Sequence, residues 1–237
     1  YQRDAPAFVP DWIRIEVLYS ESSEHEVRYF IINDESSLVY LANMATLPIH
    51  LWSSRLGSLE QPDWCILDLD PKDAPYCDVI KAALAIHRVC EEIELPNFAK
   101  TSGASGLHVL IPLGGQLTHD QCRTLGELIA RVIVNELPQI TTIARVVNKR
   151  EGKVYIDFMQ NGHGCVLVSP FCVRAVASAS VSMPLSWNEV NSRLKNERFH
   201  IKNAVRRMKR LKVDPMHELL DTVPDLGRAL DRLANML

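Results

Sequence analysis

No apolar run in the chain approaches the roughly 20 residues that a bilayer-spanning helix needs. The start carries no charged, then apolar, then small-residue leader pattern. The sequence thus offers no candidate membrane-spanning helix and no visible secretory signal, and a cytoplasmic protein is the expectation. Paired cysteines at C-x-x-C spacing are also missing: Cys65, Cys77, Cys90, Cys122, Cys165 and Cys172 all stand apart. That removes the common zinc and dithiol motifs and leaves reduced, largely buried thiols. An excess of positive charge is absent too, with 26 Lys and Arg against 29 Asp and Glu and a net charge of −3. A protein with diffuse affinity for nucleic acid is basic, so any such contact here must be local. One local patch exists: Arg198, Lys202, Arg206, Arg207, Lys209, Arg210 and Lys212. Taken alone, such a run reads more often as a solvated helix face. Neither an internal repeat nor a low-complexity segment is found.

What is present is a chain of 237 residues with 47% apolar content, enough to build a core in one large domain or two interlocked lobes. Strand-like segments run from Ile13 to Leu18 and from Val27 to Ile32, joined by a polar turn from Ser20 to Glu26. Asp34-Glu35-Ser36-Ser37 offers N-cap residues ahead of Leu38, Leu41, Ala42 and Ala45 at helical spacing. Cys65 to Asp70 reads as a buried strand ending at Pro71. An apolar stripe predicts a helix over Asp78 to Leu95. Short strands follow at Phe98 to Lys100 and Leu107 to Pro112, around a turn with two glycines. Thr118-His119-Asp120-Gln121 has the form of a capping box before a helix to about Leu137. Lys153 to Phe158 and Cys165 to Val168 read as a hairpin around Asn161-Gly162. A second capping box stands at Ser186 to Glu189, and a basic helix covers Lys202 to Lys212. The mixture is irregular and gives no clean βαβ array.

Chemistry concentrates in three places. Asp68 and Asp70 lie two apart on a strand and so share a face, while Leu67 and Leu69 point into the core. Two such carboxylates repel each other and raise their own pKa values unless a cation sits between them. Hard oxygen donors suit Mg²⁺ or Mn²⁺. Asp157, within the apolar Val154-Tyr155-Ile156-Asp157-Phe158, needs a partner because unpaired burial is expensive. If the two strands are neighbours, three carboxylates converge and can hold two ions of the kind that clamp a phosphoryl transfer. Thr101-Ser102-Gly103-Ala104-Ser105-Gly106-Leu107-His108 can aim N–H groups and hydroxyls at a phosphate. Lys149, Arg150, Lys153 and Arg174 flank the Asp157 segment, and Arg forks suit phosphate oxygens. Each signal has a plainer reading: strand-end caps, a satisfied buried Asp, an ordinary Ser/Gly turn, surface arginines.

Together these stretches resemble the polymerase module of bacterial ligase D, a branch of the archaeo-eukaryotic primase superfamily used in non-homologous end joining. The resemblance runs from Tyr1-Gln2-Arg3-Asp4-Ala5-Pro6 through Asn33-Asp34, Leu41-Ala42-Asn43 and His50-Leu51-Trp52-Ser53-Ser54-Arg55. It continues through Asp68-Leu69-Asp70-Pro71 and Lys100-Thr101-Ser102-Gly103 to His108, then the Asp157 strand and Ser169-Pro170 to Arg174. It implies that Asp68, Asp70 and Asp157 bind two divalent ions, Mn²⁺ or Mg²⁺. It further implies that Ser102 and His108 contact nucleotide phosphates, that His50 packs near sugar and base, and that Arg150, Gln160 and Arg174 face the nucleotide. Ser105 belongs to the same nucleotide-binding set, yet stands where the family often has Lys, which points to weaker triphosphate affinity. The family also carries several dozen residues ahead of Gln2-Arg3, including groups that grip a 5′-phosphate.

The resulting expectation is a mixed α/β (α+β) primase-polymerase fold, with two small β-sheets facing a cleft and helices outside. Residues 1–237 form a single catalytic domain lacking its N-terminal segment, and 198–237 form a basic helical tail of that domain. The expected activity is metal-dependent addition of nucleotides, ribonucleotides by preference, to DNA 3′ ends in double-strand break repair. Expected partners are DNA ends, nucleoside triphosphates, a ligase module and end-binding repair proteins, without a membrane. The rival within the same fold is a catalytically weak DNA-end binding or scaffolding module. A haloacid-dehalogenase-type phosphatase is disfavoured, because Lys72 occupies the place where that motif has Thr or Val and no suitable downstream Lys and acidic pair follows.

Overall fold

The computed structural model describes residues 4–20 and 24–237. The chain divides into two compact units, Tyr1–Leu47 and Pro48–Leu237. The first unit pairs β1 (Ile15–Ser20) with β2 (His25–Phe30) antiparallel and follows them with α1 (Glu35–Asn43). Asp34 caps α1 by accepting from the Ser37 N–H at 2.8 Å, as the run of N-cap residues predicts. The turn expected between β1 and β2 and the opening Tyr1-Gln2-Arg3 fall wholly or partly outside the described residues.

The second unit is built on a six-stranded sheet. Its elements are β3 (His50–Trp52), β4 (Trp64–Asp70), α2 (Tyr76–Glu92), β5 (Phe98–Thr101), β6 (Leu107–Pro112), α3 (His119–Glu136), β7 (Thr141–Thr142), β8 (Val154–Asp157), β9 (Val166–Val168), β10 (Pro184–Leu185), α4 (Ala204–Leu211) and α5 (Leu226–Ala234). The sheet order is β10-β5-β6-β4-β8-β7, antiparallel throughout except for the parallel pair β7 and β8. A second, two-stranded sheet pairs β3 with β9.

The two faces of the large sheet have different fates, and β4 shows why. Cys65, Leu67 and Leu69 alternate with Ile66, Asp68 and Asp70. The first set is fully buried with Leu107, Val109 and Ile111 of β6 against Val79, Ala82, Ala83, Ile86 and Val89 of α2 and Leu125, Ile129 and Ile133 of α3. The opposite face carries the polar residues. Thr118 and Gln121 form the reciprocal cap that starts α3, with the Thr118 N–H donating to Gln121 Oε1 at 3.0 Å. No helix among the described residues is long and apolar enough to cross a membrane.

The expected hairpin around Asn161-Gly162 does not form. β8 pairs with β4 and β7 instead, and β9 pairs with β3. Asn161 is fully buried in a short 3-10 turn, and Gly162 has φ −69°, outside the left-handed region that a tight hairpin turn demands. The Asn161 side chain accepts from the Ile66 N–H at 2.7 Å and donates to the Ile66 carbonyl at 2.8 Å. β8 is in register only with Asp68, Leu69 and Asp70. The amide therefore continues the ladder of β4 where the neighbouring strand stops, a use that outweighs its turn propensity.

Candidate active site

Four ionisable side chains lie in one row across four adjacent strands. Lys100 on β5 is in register with His108 on β6, His108 with Asp68 on β4, and Asp68 with Asp157 on β8. Residues in register on one face stand about 5 Å apart at Cβ. Asp70 lies two residues beyond Asp68 on the same face. The adjacency of the Asp68 and Asp157 strands, required for three carboxylates to converge, is thus realised.

The row is held from its buried end. Lys100 is completely inaccessible to solvent, and its Nζ meets three partners: His108 Nδ1 at 2.8 Å, the Val168 carbonyl at 3.0 Å and Ser182 Oγ at 2.7 Å. Ser182 Oγ in turn donates to the Thr101 carbonyl at 3.0 Å, so toward Lys100 it accepts. An ammonium here places all three of its N–H groups. His108 Nδ1 is then an acceptor, which assigns the ring hydrogen to Nε2, and Nε2 faces Asp68 Oδ1 at 3.4 Å. Burial pushes Lys100 down to about 7, opposed by the attraction of Asp68. His108 lies well below the usual histidine range, through burial and then the charges of Lys100 and Arg174.

Asp68 leaves a quarter of its side chain open to the cleft. Its carboxyl is nevertheless pushed up to about 7, first by the desolvating surroundings and next by Asp157, with Lys100 pulling the other way. Asp157 Oδ1 accepts from the Met159 N–H at 2.9 Å and the Tyr155 hydroxyl at 3.2 Å. Asp70 Oδ2 is paired with Arg150 at 2.9 Å, and the Arg150 guanidinium also covers the Tyr155 ring at 3.9 Å.

The turn between β5 and β6 forms the opposite wall. Ser102 Oγ accepts from the N–H groups of Gly106 at 2.9 Å and Ala104 at 3.1 Å, which closes the loop on itself. Two glycines are required here. At Gly103, with φ +71°, a Cβ would come within 2.7 Å of Arg174 Cγ and 2.8 Å of the Ser182 nitrogen. At Gly106 a Cβ would stand 2.0 Å from the Leu69 carbonyl oxygen. The turn thus packs directly on β4 and beside Arg174. His50 and Val168 are register partners that join the two-stranded sheet to the same cleft. His50 is lowered from its ordinary value, chiefly by burial and then by Arg174.

One cavity of about 330 Å³ brings all ten candidate residues together: His50, Asp68, Asp70, Ser102, Ser105, His108, Arg150, Asp157, Gln160 and Arg174. Sequence reasoning did not single out Lys100 or Tyr155, which respectively support His108 and Asp157. A lysine in the short strand Phe98-Ala99-Lys100-Thr101 was the available signal for the first.

Among the described residues, no group of three or more His, Cys, Asp or Glu side chains is arranged to hold a metal ion. The donor chemistry nonetheless fits a hard divalent cation. Three carboxylates share one face, and Asp68 is driven toward its neutral form by burial and by Asp157. Arg150 now supplies the positive charge beside Asp70.

The sequence model of the LigD primase-polymerase domain matches residues 1–216. The bifunctional non-homologous end joining protein LigD of Bacillus subtilis is 28% identical over 212 residues, covering 89% of this chain and 34% of that protein. The multifunctional non-homologous end joining protein LigD of Pseudomonas aeruginosa is 28% identical over 203 residues, covering 85% and 24%. The chain therefore spans about a quarter to a third of the length of these relatives. In fold it is similar to the polymerase domain of Mycobacterium tuberculosis ligase D, solved in complex with DNA. That match has a TM-score of 0.83 and 23% identity, and it covers 94% of this chain and 79% of the other.

Proposed function

Because the chain belongs to the LigD primase-polymerase domain family, we propose that it is a metal-dependent nucleotidyltransferase. It adds nucleotides, ribonucleotides by preference, to DNA 3′ ends during double-strand break repair. The observation that carries this reading is the row Lys100, His108, Asp68, Asp157, with Asp70 beside it, facing Ser102 and Arg174 across one cavity. A carboxylate cluster opposite a phosphate-sized wall of N–H, hydroxyl and guanidinium groups suits a polyanionic substrate and a hard cation.

In this reading Asp68, Asp70 and Asp157 would hold two divalent ions, Mn²⁺ or Mg²⁺, and Arg150 is the cation paired with Asp70 in their place. Such ions supply activation of the primer 3′-hydroxyl and neutralisation of the pyrophosphate. The protein's own part is positioning. Arg174 and the exposed Ser105 approach the triphosphate from the turn. The Nε2–H of His108 donates to a phosphate oxygen, and its direction is set by Lys100 from behind. His50 and Gln160 border the space left for sugar and base. The catalytic apparatus lies within Pro48–Leu237. Whole-protein partners, a ligase module and end-binding repair proteins, belong to the same proposal.

Primer extension tests it directly. A labelled primer–template with a recessed 3′ end is incubated with NTPs or dNTPs and Mn²⁺ or Mg²⁺. The wild-type chain is expected to extend the primer, faster with NTPs, and Asp68→Ala/Asp70→Ala to lose at least about 100-fold in rate. Absence of extension under all four conditions would overturn the enzymatic reading in favour of a DNA-end binding module.

A further inference from the structure

Charge in this molecule is sharply segregated. Residues 193–212 contain nine Lys and Arg and a single acid, Glu197, whereas the other 217 residues contain 17 Lys and Arg against 28 Asp and Glu. The net charge of −3 therefore conceals a segment of +8 within a body of −11. The structure shows how that segment is presented. Arg207 turns inward: it is buried, pairs with Glu189 at 2.5 Å and lies 4.8 Å from the Phe199 ring centroid. The other eight cations are exposed, and none of them forms an ion pair among the described residues. Elsewhere the exposed arginines Arg88, Arg123 and Arg131 are each matched by a carboxylate on their own helix. Outside the segment, Arg145 and Lys149 are also exposed without an ion pair among the described residues, but this face gathers eight such cations within 20 residues.

Arg206, Lys209 and Arg210 stand at i, i+3 and i+4 on α4 and so share one exposed side of the helix, while Arg207 is buried. Lys202 and Lys212 flank them. The segment is also tied by main chain to the cleft. Ser180 bridges His200, the Val181 N–H donates to the Phe199 carbonyl at 2.9 Å, and the Ile201 N–H to the Ala179 carbonyl at 3.0 Å. The same short stretch holds the wall of the cavity, since the Arg174 N–H donates to the Ser180 carbonyl and Ser180 Oγ to the Gly103 carbonyl. The basic segment is therefore anchored, through residues 179–181, to the same stretch that holds Arg174 and the Ser102 turn in place.

We propose that the exposed face of α4 is a docking surface for the sugar–phosphate backbone of duplex DNA outside the cleft. The proposal rests on the polymerase reading for its partner and on charge complementarity for its place. Flexible point charges without interleaved carboxylates suit phosphate contacts, which position a duplex without reading its sequence. They also explain how a protein of net negative charge holds a polyanion: the contact is concentrated where repulsion from the acidic body is least.

The test is binding of a fluorescein-labelled duplex with a recessed 3′ end, followed by anisotropy without nucleotide between 50 and 200 mM salt. Each phosphate contact contributes about 0.9 to the slope of log affinity against log salt. The variant Arg206→Ala/Lys209→Ala/Arg210→Ala is expected to lower that slope by about two to three and to weaken binding at least about 10-fold at low salt. Its thermal midpoint and its kcat at saturating DNA should match wild type. Arg88→Ala/Arg123→Ala/Arg131→Ala, which removes matched arginines, should leave the slope in place. An unchanged slope and affinity in the α4 variant would overturn the proposal. So would DNA binding that is unchanged while binding to an acidic peptide or an anionic phospholipid vesicle is lost. A wild-type chain that binds DNA through α4 but does not extend primers would sink the polymerase reading and leave this surface standing.

Discussion

Lys100 is the residue whose surroundings say most about the site. Burial of a lysine without a carboxylate in direct contact is costly, and three hydrogen bonds to His108, Val168 and Ser182 offset that cost. Its return is a histidine with one fixed tautomer. Lys100→Met is expected to leave a folded protein whose kcat/KM for primer extension falls by about 10- to 100-fold. Long-range ¹H–¹⁵N correlation on histidine-labelled protein should show the His108 hydrogen on Nε2 in wild type and mixed tautomers in the variant. A variant that keeps both the rate and the tautomer would show that Lys100 only fills space. Asp68 makes a second prediction at this scale. Its folded-state pKa, about 7, is raised above the ordinary 3.8. The folded protein therefore binds more protons than the unfolded chain between those values, and Asp68's contribution to stability is lost as pH rises from about 4 to about 7. In EDTA, Asp68→Asn should gain thermal midpoint over wild type, and the gain should grow from pH 5 to pH 8. A constant difference across that range would contradict the raised pKa.

Among the elements, β4 carries the most information, and it was the most legible. The alternation of Cys65, Leu67 and Leu69 with Asp68 and Asp70 gave both its buried face and its reactive face, because strand periodicity is local. Helices α2 and α3 were legible for the same reason, through apolar stripes and a capping box. The pairing partners were not. The sequence around Asn161-Gly162 carries a strong hairpin signal, yet the Asn161 amide is spent on Ile66, 95 residues away. No local pattern reports such a contact. Asn161→Ala should leave the Ile66 N–H and C=O buried without partners, at a cost of about 1–3 kcal/mol for each group left unpaired. Chemical denaturation measures it directly; a loss under about 0.5 kcal/mol would mean that another donor and acceptor replace the amide.

Across the whole molecule, Asp68, Asp70, Asp157 and the turn from Ser102 to His108 were nameable before the fold was known because each sits in a short motif, Arg150 and Arg174 because they flank the Asp157 segment, and His50 and Gln160 only through the family resemblance. What tied them into one cavity was sheet register, which depends on residues far apart. Lys100 stands in one of the segments that carry the resemblance but received no role for a related reason: in sequence it is one of 26 basic residues, and only complete burial sets it apart. The +8 segment shows the converse. Its composition was visible from the start, but whether its charges were matched by neighbouring carboxylates could be decided only in three dimensions.

The row across β5, β6, β4 and β8 also has a history within the life of each molecule. A ribosome adds Asp68 first, then Lys100 and His108, and reaches Asp157 only 89 residues after Asp68. Until β8 emerges and docks on β4, the nascent chain has two of its three clustered carboxylates and an open sheet edge at Asp68. The carboxylate cluster therefore cannot be completed by any local folding around Asp68: it waits for a strand made 89 residues later to find its place on β4.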